Sequence, residues 1–226
     1  FLAMKVAFSN EMANLCEKFN VDVYEVMTGV GLDPRINPHF LRAGCGFGGS
    51  CFPKDLKAIC AMARSLDVNM RLMNAVLEIN ELQPMRVIEL AESVAGDLKD
   101  KDVALLGLSF KPDTDDVRET RALPIFEELR KRGAKVTCYD PWAMNNFAKV
   151  AADVEFATSA REAIKGKDLC IIQSDWKEFK DLTASDFELM ECPVVIDGRR
   201  TFNPEKLINR GIMYKGIGWE NREVTC

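Results

Sequence analysis

Histidine is nearly missing from this sequence: His39 is the only one among 226 residues, so a Cys/His metal set has little to draw on. The CxxC pair is missing too. The cysteines stand scattered at Cys16, Cys45, Cys51, Cys60, Cys138, Cys170, Cys192 and Cys226, which fits neither a zinc site nor a disulfide framework, and no metal is expected. Cys138 and Cys170 lie in the apolar runs VTCYD and DLCIIQ, where a thiol behaves as a small hydrophobe, and the set as a whole reads as packing residues of a reducing compartment, the cytoplasm. No run of eighteen apolar residues is present, so no membrane span is expected. Lys5 and Glu11 interrupt the N-terminal apolar stripe, which excludes a secretory core there. Without a basic block, and with 30 Lys+Arg against 35 Asp+Glu for a net charge of −5, nucleic acid and membrane surfaces are poor partners. What is there, 47% hydrophobic and 29% charged residues, suffices for packed cores.

The first part reads as helices. Leu2, Val6, Ser9, Ala13 and Cys16 recur at helical spacing from Phe1 to about Lys18, ending near Asn20. Asp22 suits the N-cap of a short helix that Gly29 stops. Residues 31–52, GLDPRINPHFLRAGCGFGGSCF, form an irregular segment longer than ordinary connections, a length that points to function. Pro53 suits the first turn of the next helix, where Leu56, Ile59, Cys60 and Ala63 share a face. A further helix spans about Met70 to Val94, about 37 Å if continuous, with Pro84 expected to kink it. Its apolar residues lie on more than one side, as in a subunit interface or a buried core helix, and a homodimer buried on its second face is the expectation.

After Ala95-Gly96-Asp97 the pattern changes. Short apolar runs at Val103–Leu108, Lys135–Tyr139, Val154–Ala157, Leu169–Ile172, Val194–Ile196 and Met213–Ile217 alternate with helix-capable segments. That alternation predicts an α/β chain: a helical region over 1–96, then a Rossmann-like, doubly wound, mostly parallel sheet over 97–226.

Two glycine-bearing segments carry the chemistry. Gly44-Cys45-Gly46-Phe47-Gly48-Gly49 matches G-x-G-x-x-G by letter, yet NPHFLRA before it is no strand, so the dinucleotide reading is weak. The glycines instead let backbone approach a ligand, with Cys51 beside the start of the Pro53 helix. There the positive helix end and the Lys54 ammonium favour a thiolate; the bland alternative is a surface loop with an incidental cysteine. The second segment, LLGLSFKPDTDDVRET, occupies the phosphate turn of the sheet but lacks the second and third glycines, which argues against NAD there. Lys111, Arg118 and Arg121 offer reach toward a phosphate or carboxylate. Asp116 with Glu119 reads as a capping box, and Asp140 as a turn former rather than a ribose ligand. Asp197-Gly198-Arg199-Arg200 closes a strand at the edge where open α/β sheets bind ligands.

GFGGSCFPKD, Gly46 to Asp55, resembles the nucleophile motif of the UDP-glucose/GDP-mannose dehydrogenases. Gly107 to Pro112 followed by Thr114 to Glu119 is similar to that family's sugar-nucleotide signature, and Asp197 to Arg200 is similar to its UDP-glucose branch. The resemblance runs over essentially the whole chain. It implies oxidation of the C6 alcohol of a nucleotide sugar to the acid in two steps, most simply UDP-glucose to UDP-glucuronate, with hydride passing to NAD each time and a cysteine thiohemiacetal and thioester between. Close alternatives are the same chemistry on GDP-mannose or a UDP-N-acetylhexosamine; another is a non-catalytic nucleotide-sugar-binding or dimerisation module. The resemblance assigns Cys51 as nucleophile and Asp55 as its helper in base or water-positioning work. NAD contacts fall to Cys51, Phe52, Pro53, Lys54 and Arg118. The UDP-sugar falls to Arg35, reaching from a second subunit, to Arg42, Ala43, Gly44, Cys45, Gly46, Phe47 and Gly48, and to Phe110, Lys111 and Arg199. It places the NAD-binding domain and the family's catalytic Lys/Asn pair before Phe1, so that this chain alone is expected to be inactive.

Overall fold

The computed structural model describes residues 1–219. Four helices come first: α1 (Leu2–Phe19), α2 (Val23–Gly31), α3 (Phe52–Arg64) and α4 (Arg71–Ala95). Asn20 closes α1 in the left-handed conformation, and the Asp22 carboxylate accepts the Tyr24 N–H as the N-cap of α2. Gly29 does not stop α2, which runs two residues further; with nothing within 4 Å of its would-be Cβ, Gly29 sits on an open helix surface. Pro53 starts α3 as expected, and α4 continues through Pro84.

The rest alternates: β1 (Asp102–Leu106), α5 (Ala122–Lys131), β2 (Lys135–Tyr139), α6 (Met144–Phe147), β3 (Glu155–Phe156), α7 (Ala160–Ile164), β4 (Leu169–Ile172), α8 (Lys177–Lys180), α9 (Ala184–Phe187), β5 (Val194–Asp197), α10 (Pro204–Ile208) and β6 (Met213–Gly216). Every strand predicted from the sequence forms, and all pairings are parallel in the order β3-β2-β1-β4-β5-β6, the doubly wound arrangement. The central strands β1, β4 and β5 are apolar on both faces because helices cover both.

One hydrophobic core runs from the helices into the sheet. It joins Ala13 of α1, Val23 and Met27 of α2, and Val87, Ile88 and Ala91 of α4 to Leu105, Ile171 and Ile196 of the strands. Polar clamps complete the junction. Glu17, buried on α1, pairs with Arg86 of α4 and accepts the Gly218 N–H at 2.8 Å. Arg200 donates both terminal nitrogens to Asp22, with its guanidinium 5.1 Å from the Tyr24 ring and 4.7 Å from Trp219. The long helix α4 buries Val76, Val87, Ile88, Leu90 and Ala91 within the chain and leaves Leu72 and Leu82 exposed. Further exposed apolar side chains are Phe1, just before α1, Phe8, Leu15 and Phe19 on α1, and Ile59 and Met62 on α3.

Candidate active site

The loop of residues 44–51 is held by side chains from both regions. Asn10 of α1 accepts the Gly44 N–H at 2.8 Å. Asn80 of α4 accepts the Phe47 N–H at 2.7 Å and donates to the Phe47 carbonyl at 3.0 Å, copying one rung of a sheet. From the sheet side, Arg199 donates to the Gly46 carbonyl at 3.1 Å, and the Gly49 N–H donates to the Arg118 carbonyl at 2.9 Å. The Cys45 thiol donates to Gly198 O at 3.5 Å, and a Cβ on Gly198 would lie 2.2 Å from that sulfur. Gly49 adopts φ +82 and rests on Phe110, whose ring would be 2.7 Å from a Cβ there. Glycine is required at this contact by both conformation and space.

This clamped loop delivers Cys51 to the head of α3. Cys51 is the N-cap residue and is exposed, with the Ser50 hydroxyl 3.7 Å from its sulfur. Lys54 and Asp55, one turn on, are exposed and paired at 2.9 Å; that hydrogen bond, the Asp55 charge and the nearby Cys51 hold the Lys54 ammonium above its ordinary value. Arg118 also feels the Cys51 sulfur, while its main tie is to Asp116 at 2.7 Å. The other loop thiol, Cys45, is buried, and burial pushes it up to about 11. Burial raises the strand thiols Cys138 and Cys170 further still.

Two cavities open beside the loop. One of about 610 Å³ is lined by Arg42, Gly46, Phe47, Gly48, Phe52, Phe110, Lys111 and Arg199, with His39 and Phe40 at its side. The Phe47 and Phe52 rings meet edge-on at 5.7 Å, and the Lys111 ammonium stands 5.5 Å from the Phe110 ring centre. The second, of about 560 Å³, shares Pro38, Arg42 and Arg199 and adds Ala43, Arg200, which is paired with Asp22, and the ion pair of Lys180 with Asp175. Apolar walls with a few cationic heads suit an anionic ligand with a ring system. Gly44 and Cys45 line neither cavity; their role is to join the loop to Gly198. Arg35 also lines neither; it is exposed and paired with Asp33, on a segment that the buried Lys5 ammonium secures by donating to Ile36 O and Asn37 O.

Two readings from the sequence change and a third is extended. Asp116 and Glu119 form no capping box, because α5 begins only at Ala122; Asp116 instead accepts the Arg118 N–H and guanidinium. Arg121 does not reach outward: it is buried, tied to Glu119 O and the Glu119 carboxylate, and faces Glu81 at 3.5 Å. Asp140 makes the expected turn, accepting Trp142 and Ala143 N–H groups, but also receives donors from the β1 turn. Asn10 and Asn80 join the site without a motif to mark them; each is a short polar residue on the buried side of a helix, a position that asks for a partner.

Comparison with known proteins decides the kinship. The central-domain model of the UDP-glucose/GDP-mannose dehydrogenase family matches residues 1–82, and its UDP binding domain model matches residues 104–204. The chain belongs to the UDP-glucose/GDP-mannose dehydrogenase family. Within that family it is 42% identical over 220 residues to UDP-glucose 6-dehydrogenase TuaD of Bacillus subtilis, covering 96% of this chain and 48% of that protein. UDP-glucose 6-dehydrogenase AglM of Haloferax volcanii is 44% identical over 200 residues, covering 88% of this chain and 46% of the relative. The fold superimposes on a UDP-glucose dehydrogenase of Pyrobaculum islandicum with a TM-score of 0.87 at 38% identity, over 97% of this chain and 49% of that one. The chain spans about half the length of the curated relatives it matches.

Proposed function

We propose that this chain is the cysteine-bearing and nucleotide-sugar-binding portion of an NAD-dependent UDP-glucose 6-dehydrogenase. The observation that carries the reading is the exposed thiol of Cys51 at the head of α3, delivered there by a loop that is itself buried and clamped beside the cavity of Phe110, Lys111 and Arg199. Relatives named for UDP-glucose at 42% and 44% identity support that sugar over GDP-mannose. Residues 1–96 act as the helical assembly region and 97–226 as the UDP-sugar domain. The exposed apolar side chains of α1 supply the face for a homodimer, and Arg35 of a second copy would complete the sugar site. Free thiols at every described cysteine suit a reducing cytoplasm.

The residues present fit NAD beside Cys51: Lys54 and Arg118 are exposed cations next to that sulfur, and with Phe52 and Pro53 they would hold one side of it. When bound, NAD supplies the hydride acceptor. In this chain, the Cys51 sulfur adds to the C6 aldehyde, a C–S bond forms, and the carbonyl oxygen gains a proton. Once the carbon loses hydride to the bound acceptor and the hydroxyl loses its proton to solvent, a thioester results; water adds, the C–S bond breaks, and the thiolate leaves with the acid as product. Asp55, one turn into α3, positions that water or takes its proton. Arg42, Lys111 and Arg199 meet the phosphates, and Ala43, Gly46, Phe47 and Gly48 present backbone to the nucleotide sugar, while Gly44 and Cys45 hold the loop against Gly198.

The test uses the intact enzyme with UDP-glucose and NAD, counting two NADH per sugar. Cys51→Ser lowers steady NADH production by orders of magnitude, because an alkoxide leaves less readily than a thiolate; Cys45→Ser retains most activity. Full activity in Cys51→Ser overturns the covalent route. The 226-residue chain alone binds UDP and turns nothing over.

A further inference from the structure

Asp140, at the end of β2, has no part in the chemistry above, yet it is the most heavily coordinated carboxylate at the sheet edge. It is fully buried. Its Oδ2 accepts the Leu108 N–H at 2.7 Å, the Ser109 N–H at 3.0 Å, the Ser109 hydroxyl at 3.0 Å and the Trp176 indole N–H at 3.1 Å. Its Oδ1 accepts the Trp142 and Ala143 N–H groups at 2.9 and 2.8 Å. The Leu108 and Ser109 amides belong to the turn that follows β1. In a doubly wound sheet of this strand order, amides of that turn face a nucleotide phosphate, in the crevice where the order reverses between β1 and β4.

Here the crevice is filled from within. Gly107, at φ +91, lies so close to the end of β4 that a Cβ would stand 2.6 Å from the Ser174 backbone nitrogen. Gln173, Ser174 and Trp176 are buried around it. A carboxylate of the chain therefore sits against the donors that a phosphate would use. The same turn leads directly to Phe110, which rests on Gly48 and Gly49, and to Lys111 at the cavity.

We propose that the turn after β1 is an anion site satisfied internally by Asp140, and that it accepts a small external carboxylate when that side chain is removed. Asp140 is a positioning residue: it closes the sheet's own dinucleotide crevice and fixes the root of the Phe110–Lys111 segment. The inference stands independently of the nucleotide-sugar reading, since no nucleotide enters its test.

Asp140→Gly in this chain lowers the thermal unfolding midpoint, and sodium formate raises it again saturably. Sodium chloride at equal concentration does not, because a spherical ion cannot meet the two donor sets that Oδ1 and Oδ2 divide between them. Wild type shows no formate-specific rise. A second variant covers the case in which Asp140→Gly fails to fold. Asp140→Asn keeps the shape but offers a single acceptor oxygen, and hydrogen exchange at the Leu108 and Ser109 amides accelerates about tenfold or more. Unchanged exchange at both amides in Asp140→Asn, or a folded Asp140→Gly whose midpoint responds to formate no more than wild type does, overturns the proposal.

Discussion

The two glycine-bearing segments use the same residue to opposite ends. In the loop of 44–49, glycine lets backbone pass close to Asn80, Gly198 and Phe110 while the chain keeps one side toward the cavities. In the turn at 107–109, glycine lets two strand ends close on each other, and Asp140 seals what remains. The segment that spells a dinucleotide fingerprint is not one, and the segment that occupies the fingerprint's place in the sheet is shut. Location in the fold, more than the letters, decides what a glycine turn can bind.

The widest gap between the two regions is in thiol reactivity. Cys51, at the open end of the loop, is alkylated by iodoacetamide at neutral pH orders of magnitude faster than Cys138 and Cys170, which flank the sealed turn on β2 and β4. Cys45 follows the strand thiols, since burial holds it near 11. Peptide mass spectrometry against time checks this, and comparable rates at Cys51 and Cys138 break the contrast between open and shut.

Alanine at the two contact glycines sharpens it. Gly107→Ala meets fixed backbone at Ser174 in a positive-φ position and costs about 3 kcal/mol or more in chemical denaturation. Gly49→Ala shares the positive-φ strain but meets the rim of the half-buried Phe110 ring, which can give way where backbone cannot; it costs about 2 kcal/mol and weakens UDP binding by displacing a cavity wall. Equal stability losses would show the loop to be as rigid as the turn.

Asn80→Ala strips the loop of two buried hydrogen bonds and leaves the Phe47 amide and carbonyl unpaired, at a cost of about 2 kcal/mol. Denaturation midpoints read the cost, and increased proteolysis within residues 44–51 would place it. A variant as stable as wild type would mean that Arg199 and Arg118 hold the loop without α4.

The smallest effect is electrostatic, at the junction of the two regions. Burial pushes the Asp22 carboxyl up, but its hydrogen bonds from Arg200 and from the Tyr24 amide, with the Arg200 charge, prevail and hold it below 3.8. A lowered folded value means that the contribution is complete above about pH 4 and is lost as pH falls through that lowered value. Asp22→Asn therefore loses about 1 kcal/mol at most at neutral pH and shows a shallower fall in stability below about pH 4. Identical acid profiles would remove Asp22 from the clamp.

Much of this molecule is written along the chain. Six apolar runs separated by helix-capable segments determine a covered parallel sheet, because a strand buried on both faces cannot alternate polar and apolar residues. The Asp22 cap, the Pro53 helix start and the ten-residue cysteine motif are local chemistry, readable within a turn or two. The pairing of Asn10 with Gly44, of Asn80 with Phe47 and of Asp140 with Leu108 lies beyond such reading, since the partners are 34, 33 and 32 residues apart. So does the start of α5, since the spacing of Asp116 and Glu119 fits a cap while the helix begins at Ala122. How much of each apolar face stays uncovered was also decided by packing: α4 sinks Val87, Ile88 and Ala91 into the core yet leaves Leu72 and Leu82 exposed, and α1 buries Ala13 and Cys16 while leaving Phe8, Leu15 and Phe19 exposed. Periodicity states that a residue has a buried side. Only the assembled fold supplies the neighbour that a buried amide or carboxylate meets there, because desolvation makes each such group depend on a partner that sequence proximity does not provide.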